Sequence, residues 1–220
     1  MLFINFKTYE QGSGTRALEL VKTLEEVANE TRVRIIPVVQ PADVKEAVQS
    51  SKLEIWVQHV DAVEFGAHTG SVLPEAVFED GAIGTFLNHS EKKFSDFESL
   101  SKAHKRAVEV GLKTLIFASS LDELGNVSTL NPTFVSYEPP EFIGNTTTSV
   151  TSAQPDVILK AVEIAKSHEL PLVVGAGVHS GEDVKKALRL GAAGVAVATD
   201  VVKAQDPKKE LLELIEGFAA

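Results

Sequence analysis

Three charged or titratable side chains stand where short apolar runs end, and together they could perform proton transfer on a small anionic ligand. They are Lys7 after Leu2–Phe6, His89 after Ala82–Leu87 and Glu138 after Phe134–Tyr137. If these runs are strands of a closed parallel barrel, their carboxyl ends lie on one face, which is where such barrels carry their active sites. A base, an imidazole and a fixed cation would then converge on that face.

Glu138 is the candidate base. It precedes Pro139-Pro140, and because proline restricts the residue before it, Glu138 is expected to project from a strand end into a loop. A glutamate there could take a proton from a carbon beside a carbonyl group. The alternative interpretation is a loop glutamate exposed to solvent.

His89 and Lys7 could act on the oxygen atoms of the same ligand. A neutral imidazole could donate a hydrogen bond to a carbonyl and stabilise an enediolate, and the lysine could meet a phosphate or an enediolate oxygen. Asn5 lies two residues before Lys7, hence on the same side of the strand, and could bind the same ligand. The alternatives are a structural histidine and a surface lysine at the start of a loop.

Turns of glycine or small residues follow the sixth, seventh and eighth apolar runs and predict a phosphate site. They are Ile143-Gly144, Gly175-Ala176-Gly177 and Ala198-Thr199. Glycine lets the backbone approach an anion closely, and barrels often bind phosphate after strands seven and eight. A dinucleotide-binding loop at Gly175 to Gly177 is the alternative, but no glycine cluster follows the first strand to support it.

Eight apolar runs of strand length alternate with amphipathic stretches. The predicted strands are Leu2–Phe6, Val33–Val39, Glu54–His59, Ala82–Leu87, Lys113–Ala118, Phe134–Tyr137, Leu172–Gly175 and Gly194–Val197. The predicted helices are Arg16–Ala28, a short Leu73–Glu79, Ser95–Val110 with a Ser95–Glu98 capping box, a marginal Leu121–Leu130, Pro155–Ser167, one from Ser180 to before Gly191, and one starting at Asp206-Pro207.

This alternation predicts an α/β protein with a parallel sheet. Eight units fit a closed (β/α)8 barrel with shortened helices and loops, and no linker divides the 220 residues, so residues 1–220 are predicted to form a single domain. On the pattern alone, an open doubly wound sheet is equally compatible.

The composition narrows the class of protein. The formal net charge of −10 argues against nucleic acid or an anionic membrane surface as a partner. The chain has no cysteine, so disulfides, thiolate metal sites and cysteine nucleophiles are excluded.

No apolar run approaches the roughly 20 residues of a membrane span, and Met1 leads directly into the first strand, so we expect a cytoplasmic protein without a signal peptide. Neither a metal nor an organic cofactor is predicted, since the histidine pair His59 and His68 has few carboxylates nearby.

Three segments, in this order, resemble the signature segments of the triosephosphate isomerase family. They are Asn5-Phe6-Lys7, Asn88-His89-Ser90-Glu91 and Glu138-Pro139-Pro140 followed by Ile143-Gly144. The likeness runs along essentially the whole chain and is closest to the short archaeal type, which also has stretches similar to Gln58–Asp61 and His68–Gly70. The resemblance implies a TIM barrel that interconverts dihydroxyacetone phosphate and D-glyceraldehyde 3-phosphate in glycolysis and gluconeogenesis.

The same resemblance implies roles for the candidate residues. Glu138 would move a proton between adjacent carbons, and His89 would polarise the carbonyl, a pairing already known for triosephosphate isomerases. Asn5 and Lys7 would hold the substrate, and Pro139–Thr148 would close over it as a lid.

The resemblance also implies a homodimer or homotetramer. The long loop Asp61–Val72 is expected to expose Val63, Phe65 and Val72, and apolar loop residues of this kind suggest a covered surface. By the resemblance, Thr69 would brace the Asn5–Lys7 region of a neighbouring subunit.

Four features of the sequence depart from the family pattern. The predicted lid carries Gly144-Asn145-Thr146-Thr147-Thr148, whose β-branched residues stiffen the backbone, and Lys92-Lys93 replaces a basic pair that usually contains arginine, which would weaken a bidentate bridge. Thr199 keeps a hydroxyl at the predicted phosphate turn after the eighth run. His179 lies close to the other predicted phosphate turn, Gly175-Ala176-Gly177, and a bound dianion would favour its imidazolium form.

Two rival functions remain open from the residues. One is a barrel that binds a sugar phosphate without converting it, although such a protein needs no base. The other is a different phosphate-binding barrel, such as a biosynthetic isomerase or synthase of the tryptophan or histidine type. Those enzymes commonly use Asp, Cys or paired acids at strand ends, where this chain offers Asn5 and Lys7.

Overall fold

The computed structural model of the chain describes residues 1–139 and 155–219. Eight parallel strands pair in chain order, and β8 closes onto β1, which confirms the predicted (β/α)8 barrel. The strands are β1 Leu2–Asn5, β2 Ile35–Val39, β3 Trp56–Val57, β4 Gly84–Leu87, β5 Lys113–Ala118, β6 Phe134–Tyr137, β7 Leu172–Val174 and β8 Gly194–Val197. A single domain over residues 1–220 stays a prediction.

Three strands, β5, β6 and β8, have the predicted bounds, and the other five are shorter than predicted. The largest difference is β3, where only Trp56–Val57 of the predicted Glu54–His59 pairs with its neighbours. An apolar run shows which residues are buried, whereas strand length depends on how far the adjacent backbones stay in register.

Helices follow the strands and cover the outside of the barrel. Those described are α1 Thr15–Thr31, α2 Val44–Ser50, α3 Pro74–Glu79, α4 Phe97–Glu109, α5 Leu121–Ser128, α6 Pro155–Ser167, α7 Gly181–Arg189, α8 Thr199–Val202 and α9 Pro207–Ile215. The sequence did not predict α2 and α8, which have 7 and 4 residues. The helix expected to be marginal, α5, forms two turns.

The predicted capping box at the start of α4 is wrong. The cap is Asp96, whose carboxylate accepts the N–H of Ser99 at 2.7 Å. Ser95 lies one residue earlier and donates its hydroxyl to Asp96 at 2.7 Å. Both residue types are good N-caps, but the carboxylate also interacts favourably with the positive end of the helix.

The other predicted caps are confirmed. Ser180 accepts the N–H of Asp183 at the start of α7, and Asp206 accepts that of Lys209 ahead of α9, where Pro207 occupies the first turn. The Ser180 cap sets the length of the loop between β7 and α7 at the carboxyl face, and the Asp206 cap fixes the start of α9.

The interior of the barrel is unusually aromatic and forms the floor beneath the carboxyl face. Phe3 meets Trp56 edge to face at 5.2 Å, and Phe86 meets Phe117 at 4.8 Å. Gly84 leaves room for the indole, since a Cβ there would lie 2.6 Å from the Trp56 ring. A packed floor of this kind excludes water from below and holds the strand ends in place.

Candidate active site

A cavity of about 110 Å³ opens at the carboxyl ends of the strands. The predicted site residues that line it are Asn5, Lys7, His89, Glu138, Gly177, Ala198 and Thr199. Ile143 and Gly144, and the predicted lid from residue 140 onward, lie outside the described residues. The structure therefore gathers side chains from β1, β4 and β6 and turns after β7 and β8 around one space.

Glu138 directly follows β6 and is only 6 % exposed. Its backbone N–H donates to the carbonyl of Ala118 at 2.9 Å, and Ser90 donates its hydroxyl to Oε2 at 3.1 Å. Burial disfavours the charged carboxylate and raises the pKa of Glu138 to about 7, while the Ser90 hydrogen bond and the Lys7 ammonium act in the opposite direction. The carboxyl group thus changes its charge near neutral pH.

His89 has a defined tautomer. The backbone N–H of Glu91 donates to its Nδ1 at 3.2 Å, and since that N–H can only donate, Nδ1 carries no proton. Burial lowers the pKa of His89 to about 4 against the opposing effect of Glu91, and Lys7 adds a smaller lowering. The ring is therefore neutral at physiological pH and carries its proton on Nε2.

The His89 ring and the Glu138 carboxyl group are neighbours in the lining of the cavity. Nε2 of His89 lies 3.6 Å from Oε2 of Glu138, which is beyond a hydrogen bond. The Nε2–H of the ring and the carboxyl group are thus near neighbours that are not hydrogen-bonded to each other, and both line the cavity. A carbon acid with an adjacent carbonyl oxygen would offer a partner to each of them.

Lys7 stands in the left-handed region, with φ 48°. Its backbone N–H donates to Oδ1 of Asn5 at 3.0 Å, and Nζ pairs with Glu91 at 2.9 Å. The Nε2 group of Gln58 donates to the Lys7 carbonyl at 2.8 Å. The lysine is therefore held at both ends, with its side chain only 17 % exposed.

His179 lines the same cavity as part of the turn after β7. Its Nδ1 lies 2.6 Å from Asp200 in α8, and its backbone N–H donates to Asp183 at 3.2 Å. Tyr9 and Thr199 share a hydrogen bond of 3.0 Å next to this pair. The histidine is thus linked to a carboxylate and does not lie free in solvent; its response to a bound phosphate stays a prediction.

Sequence reasoning gave no role to Ser90, Phe117 or Asp200, all of which touch the predicted residues. The ring of Phe117 packs edge-on against His89 at 4.9 Å, Ser90 binds Glu138, and Asp200 binds His179. Ser90 belongs to the segment Asn88-His89-Ser90-Glu91, and its hydroxyl next to the imidazole could have indicated a role in the site. Phe117 and Asp200 are 28 and 21 residues from their partners, so nothing local in the sequence indicated the contacts.

The loop Asp61–Val72 differs in part from its prediction. Phe65 is 74 % exposed, but Val63 and Val72 are half-buried. Asp61 holds the loop closed by accepting the N–H of Val72 at 2.7 Å and meeting His59 at 3.0 Å. The apolar surface of the loop is therefore mainly a single phenylalanine.

Within residues 1–139 and 155–219, no group of three or more His, Cys, Asp or Glu side chains is arranged to hold a metal ion. In the same part of the chain, no helix is both long enough and apolar enough to span a bilayer.

The fold and the cavity define a (β/α)8-barrel enzyme whose site pairs a buried carboxyl group with a neutral imidazole. A family model described as triosephosphate isomerase matches residues 1–218. Three archaeal proteins named triosephosphate isomerase are similar over nearly their full length. That of Methanobacterium bryantii is 40 % identical, covering 98 % of this chain and 95 % of the relative. Those of Metallosphaera sedula and Saccharolobus solfataricus are each 41 % identical, covering 99 % and 98 % of this chain and 95 % and 94 % of the relatives.

The chain belongs to the triosephosphate isomerase family. The resemblance seen in the sequence is thereby confirmed, and so is the prediction that the protein is an enzyme of the isomerase class.

Proposed function

We propose that this enzyme interconverts dihydroxyacetone phosphate and D-glyceraldehyde 3-phosphate through an enediolate. The observation that carries the proposal is the pairing of a buried Glu138, whose pKa is raised to about 7, with a His89 ring that is neutral and protonated on Nε2. The family membership and the names of the relatives support the choice of substrates.

Glu138 acts as the base. Its carboxylate removes a proton from the carbon beside the carbonyl, which leaves an enediolate. The hydroxyl proton on that carbon's oxygen passes to the former carbonyl oxygen, and the resulting carboxylic acid returns a proton to the former carbonyl carbon. A base works best when its pKa lies near the working pH, and burial brings the pKa of Glu138 there. Ser90 holds the carboxyl group through a single hydrogen bond of 3.1 Å, so little has to break when the base turns toward the substrate.

His89 acts as the electrophile. Its Nε2–H donates to the substrate oxygen and stabilises the negative charge that develops there. A neutral ring leaves the positive charge to Lys7, which stands in the same cavity. The pairing of a glutamate base with a neutral histidine agrees with the pattern known for the family.

Asn5 and Lys7 hold the substrate, and backbone groups hold its phosphate. Gly177 lines the cavity and has φ 60°, a conformation that favours glycine. Ala198 and Thr199 contribute the turn after β8. We assign Ile143 and Gly144 to the same phosphate site on the resemblance alone.

The test is a coupled assay with D-glyceraldehyde 3-phosphate on the purified protein and on Glu138→Gln. The wild type should isomerise the substrate, and the variant should lose at least about 10² to 10⁴ in kcat, as expected for removal of a general base. Circular dichroism checks that the variant is folded. Activity of Glu138→Gln close to that of the wild type would falsify the assignment of the base.

We further propose that the protein self-associates as a homodimer or homotetramer. Support comes from Phe65, which is 74 % exposed at the tip of the Asp61–Val72 loop, and from the family resemblance, by which Thr69 would reach a neighbouring site. Sedimentation at micromolar concentration should detect no monomer, and Phe65→Ser should shift the distribution toward monomer. A monomeric wild type with full activity would contradict this proposal.

We also propose that the enzyme works in the cytoplasm, within glycolysis and gluconeogenesis. The support is chemical: triose phosphates are charged and are not expected to cross a membrane unaided, so an enzyme that converts them is expected in the compartment that makes them.

A further inference from the structure

The carboxylate of Glu123 connects the turn that contains His89 to the next strand–helix unit of the barrel. Oε1 of Glu123, in the first turn of α5, accepts from Nδ2 of Asn88 at 2.9 Å. Oε2 accepts from the backbone N–H and the hydroxyl of Ser119 at 2.7 and 2.6 Å. Nζ of Lys93 donates to both oxygens, at 3.0 and 2.9 Å. The carboxylate therefore joins the loop after β4 to the loop after β5.

Asn88 links Glu123 to His89, because it binds Glu123 through its side chain and directly precedes His89 in the chain. Asn88 is 4 % exposed and has φ 59°, a left-handed conformation that asparagine tolerates better than most residues. Besides Glu123, its amide donates to the carbonyl of Phe117 at 3.0 Å, and its Oδ1 accepts from Phe94 at 3.3 Å. The conformation from which the imidazole projects is thus fixed by side-chain bonds.

We propose that Glu123 is a positioning residue for His89, acting through Asn88. By holding the Asn88 amide, Glu123 maintains the turn in which Nδ1 of His89 accepts from Glu91 while the ring stays against Phe117 and presents Nε2–H to the cavity. This inference rests on the proposed role of His89 as electrophile and adds a residue that touches neither substrate nor imidazole.

The charge of Glu123 matters as well as its shape. Burial raises its pKa, but hydrogen bonds from Ser119, Lys93 and Asn88 outweigh that effect and lower it to about 2, so the group is ionised wherever the enzyme is folded and active. Glutamine could accept at one oxygen only and would turn an N–H₂ group toward one set of these donors. Lysine in place of arginine at this pair is expected to weaken a bidentate bridge. The ammonium of Lys93 nevertheless contacts both carboxylate oxygens of Glu123.

The test compares Glu123→Gln with Asp122→Asn. Asp122 is exposed in the same turn of α5, so its variant removes an equal charge without touching Asn88. Glu123→Gln should lower kcat for D-glyceraldehyde 3-phosphate on the order of 10- to 100-fold, as for a misplaced catalytic group, with KM little changed. Asp122→Asn should match the wild type. All rates are taken well below the unfolding temperature of each variant.

A second readout needs no substrate. The ¹⁵N NMR spectrum of the His89 imidazole, identified by its loss in His89→Gln, should report one neutral Nε2–H tautomer in the wild type and in Asp122→Asn. In Glu123→Gln it should report a tautomer mixture or a broadened signal. An unchanged spectrum would overturn the inference even if the wild type proved inactive, so failure of the proposed function and failure of this inference are distinguishable.

The route through Asn88 is tested by Asn88→Gly, which keeps the left-handed turn available but removes the amide. If Glu123 acts through Asn88, the double variant should lose no more kcat than Asn88→Gly alone. Losses that multiply, or a kcat for Glu123→Gln equal to that of Asp122→Asn, would overturn the inference.

Discussion

Glu138, the proposed base, should make the folded protein less stable above neutral pH, and replacing it should separate activity from stability. Burial raises the pKa of Glu138 from 4.5 to about 7, so the folded protein binds a proton on this group more tightly than the unfolded chain does. Such a group supports folding at pH values below about 4.5, and that support is lost as the pH rises through 7. Above pH 7, folding must bury a charged carboxylate.

The size of the effect follows from the pKa difference. At about 1.36 kcal/mol for each pKa unit, a change from 4.5 to about 7 corresponds to about 3 kcal/mol at pH 8. At pH 5, which lies only slightly above the unfolded pKa of 4.5, the same linkage relation gives less than about 1 kcal/mol. Glu138→Gln removes the charge, so it should raise the free energy of unfolding by about 2 to 3 kcal/mol more at pH 8 than at pH 5.

The assay is denaturant unfolding of the wild type and of Glu138→Gln at pH 5 and pH 8, with equal protomer concentration because association affects apparent stability. Glu98→Gln is the matched control, since Glu98 is exposed on α4 and pairs only with Lys102 among the described residues; it should change stability little at either pH. An equal effect of Glu138→Gln at both pH values, or a loss of stability at pH 8, would refute the account of the buried base.

Two further predictions concern pH. The kcat/KM of the wild type should fall as the pH drops through about 7, because Glu138 must be ionised to act as base; a pH–rate profile that stays level down to pH 5 would contradict this. The pH dependence of inhibition by a phosphate-bearing analogue should differ between the wild type and His179→Ser, because His179 lines the cavity and meets Asp200 at 2.6 Å. Superimposable profiles from pH 5.5 to 8 would show that the pair of His179 with Asp200 does not respond to the ligand.

The residues at strand ends were accessible from the sequence because the barrel places all carboxyl ends on one face. Lys7, His89 and Glu138 come from three strands separated by more than forty residues each, yet the apolar run before each residue was enough to bring them together. The same rule placed Gly177, Ala198 and Thr199 at the cavity, and their binding of phosphate stays a prediction. The predicted fold was confirmed for this reason, although the bounds of β3 were not.

Contacts between loops could not be predicted from the apolar runs of the sequence. The choice of Asp96 over Ser95 as a cap depends on one residue of helix register. The partnership of Glu123 with Asn88 spans 35 residues and joins two loops whose separation only the closed barrel defines. Likewise, the pKa of Glu138 depends on burial by neighbours from several strands, and no local pattern in the sequence encodes that burial.

Isomerisation in D₂O tests most directly whether Glu138 carries the proton. When wild-type enzyme converts D-glyceraldehyde 3-phosphate, ¹H NMR should show solvent deuterium on the carbon that receives the proton in dihydroxyacetone phosphate, because a protonated carboxyl group exchanges with solvent. Glu138→Gln should lose both turnover and deuterium incorporation. Complete retention of the substrate hydrogen by the wild type, or deuterium incorporation by Glu138→Gln at the wild-type rate, would contradict proton transfer through this residue.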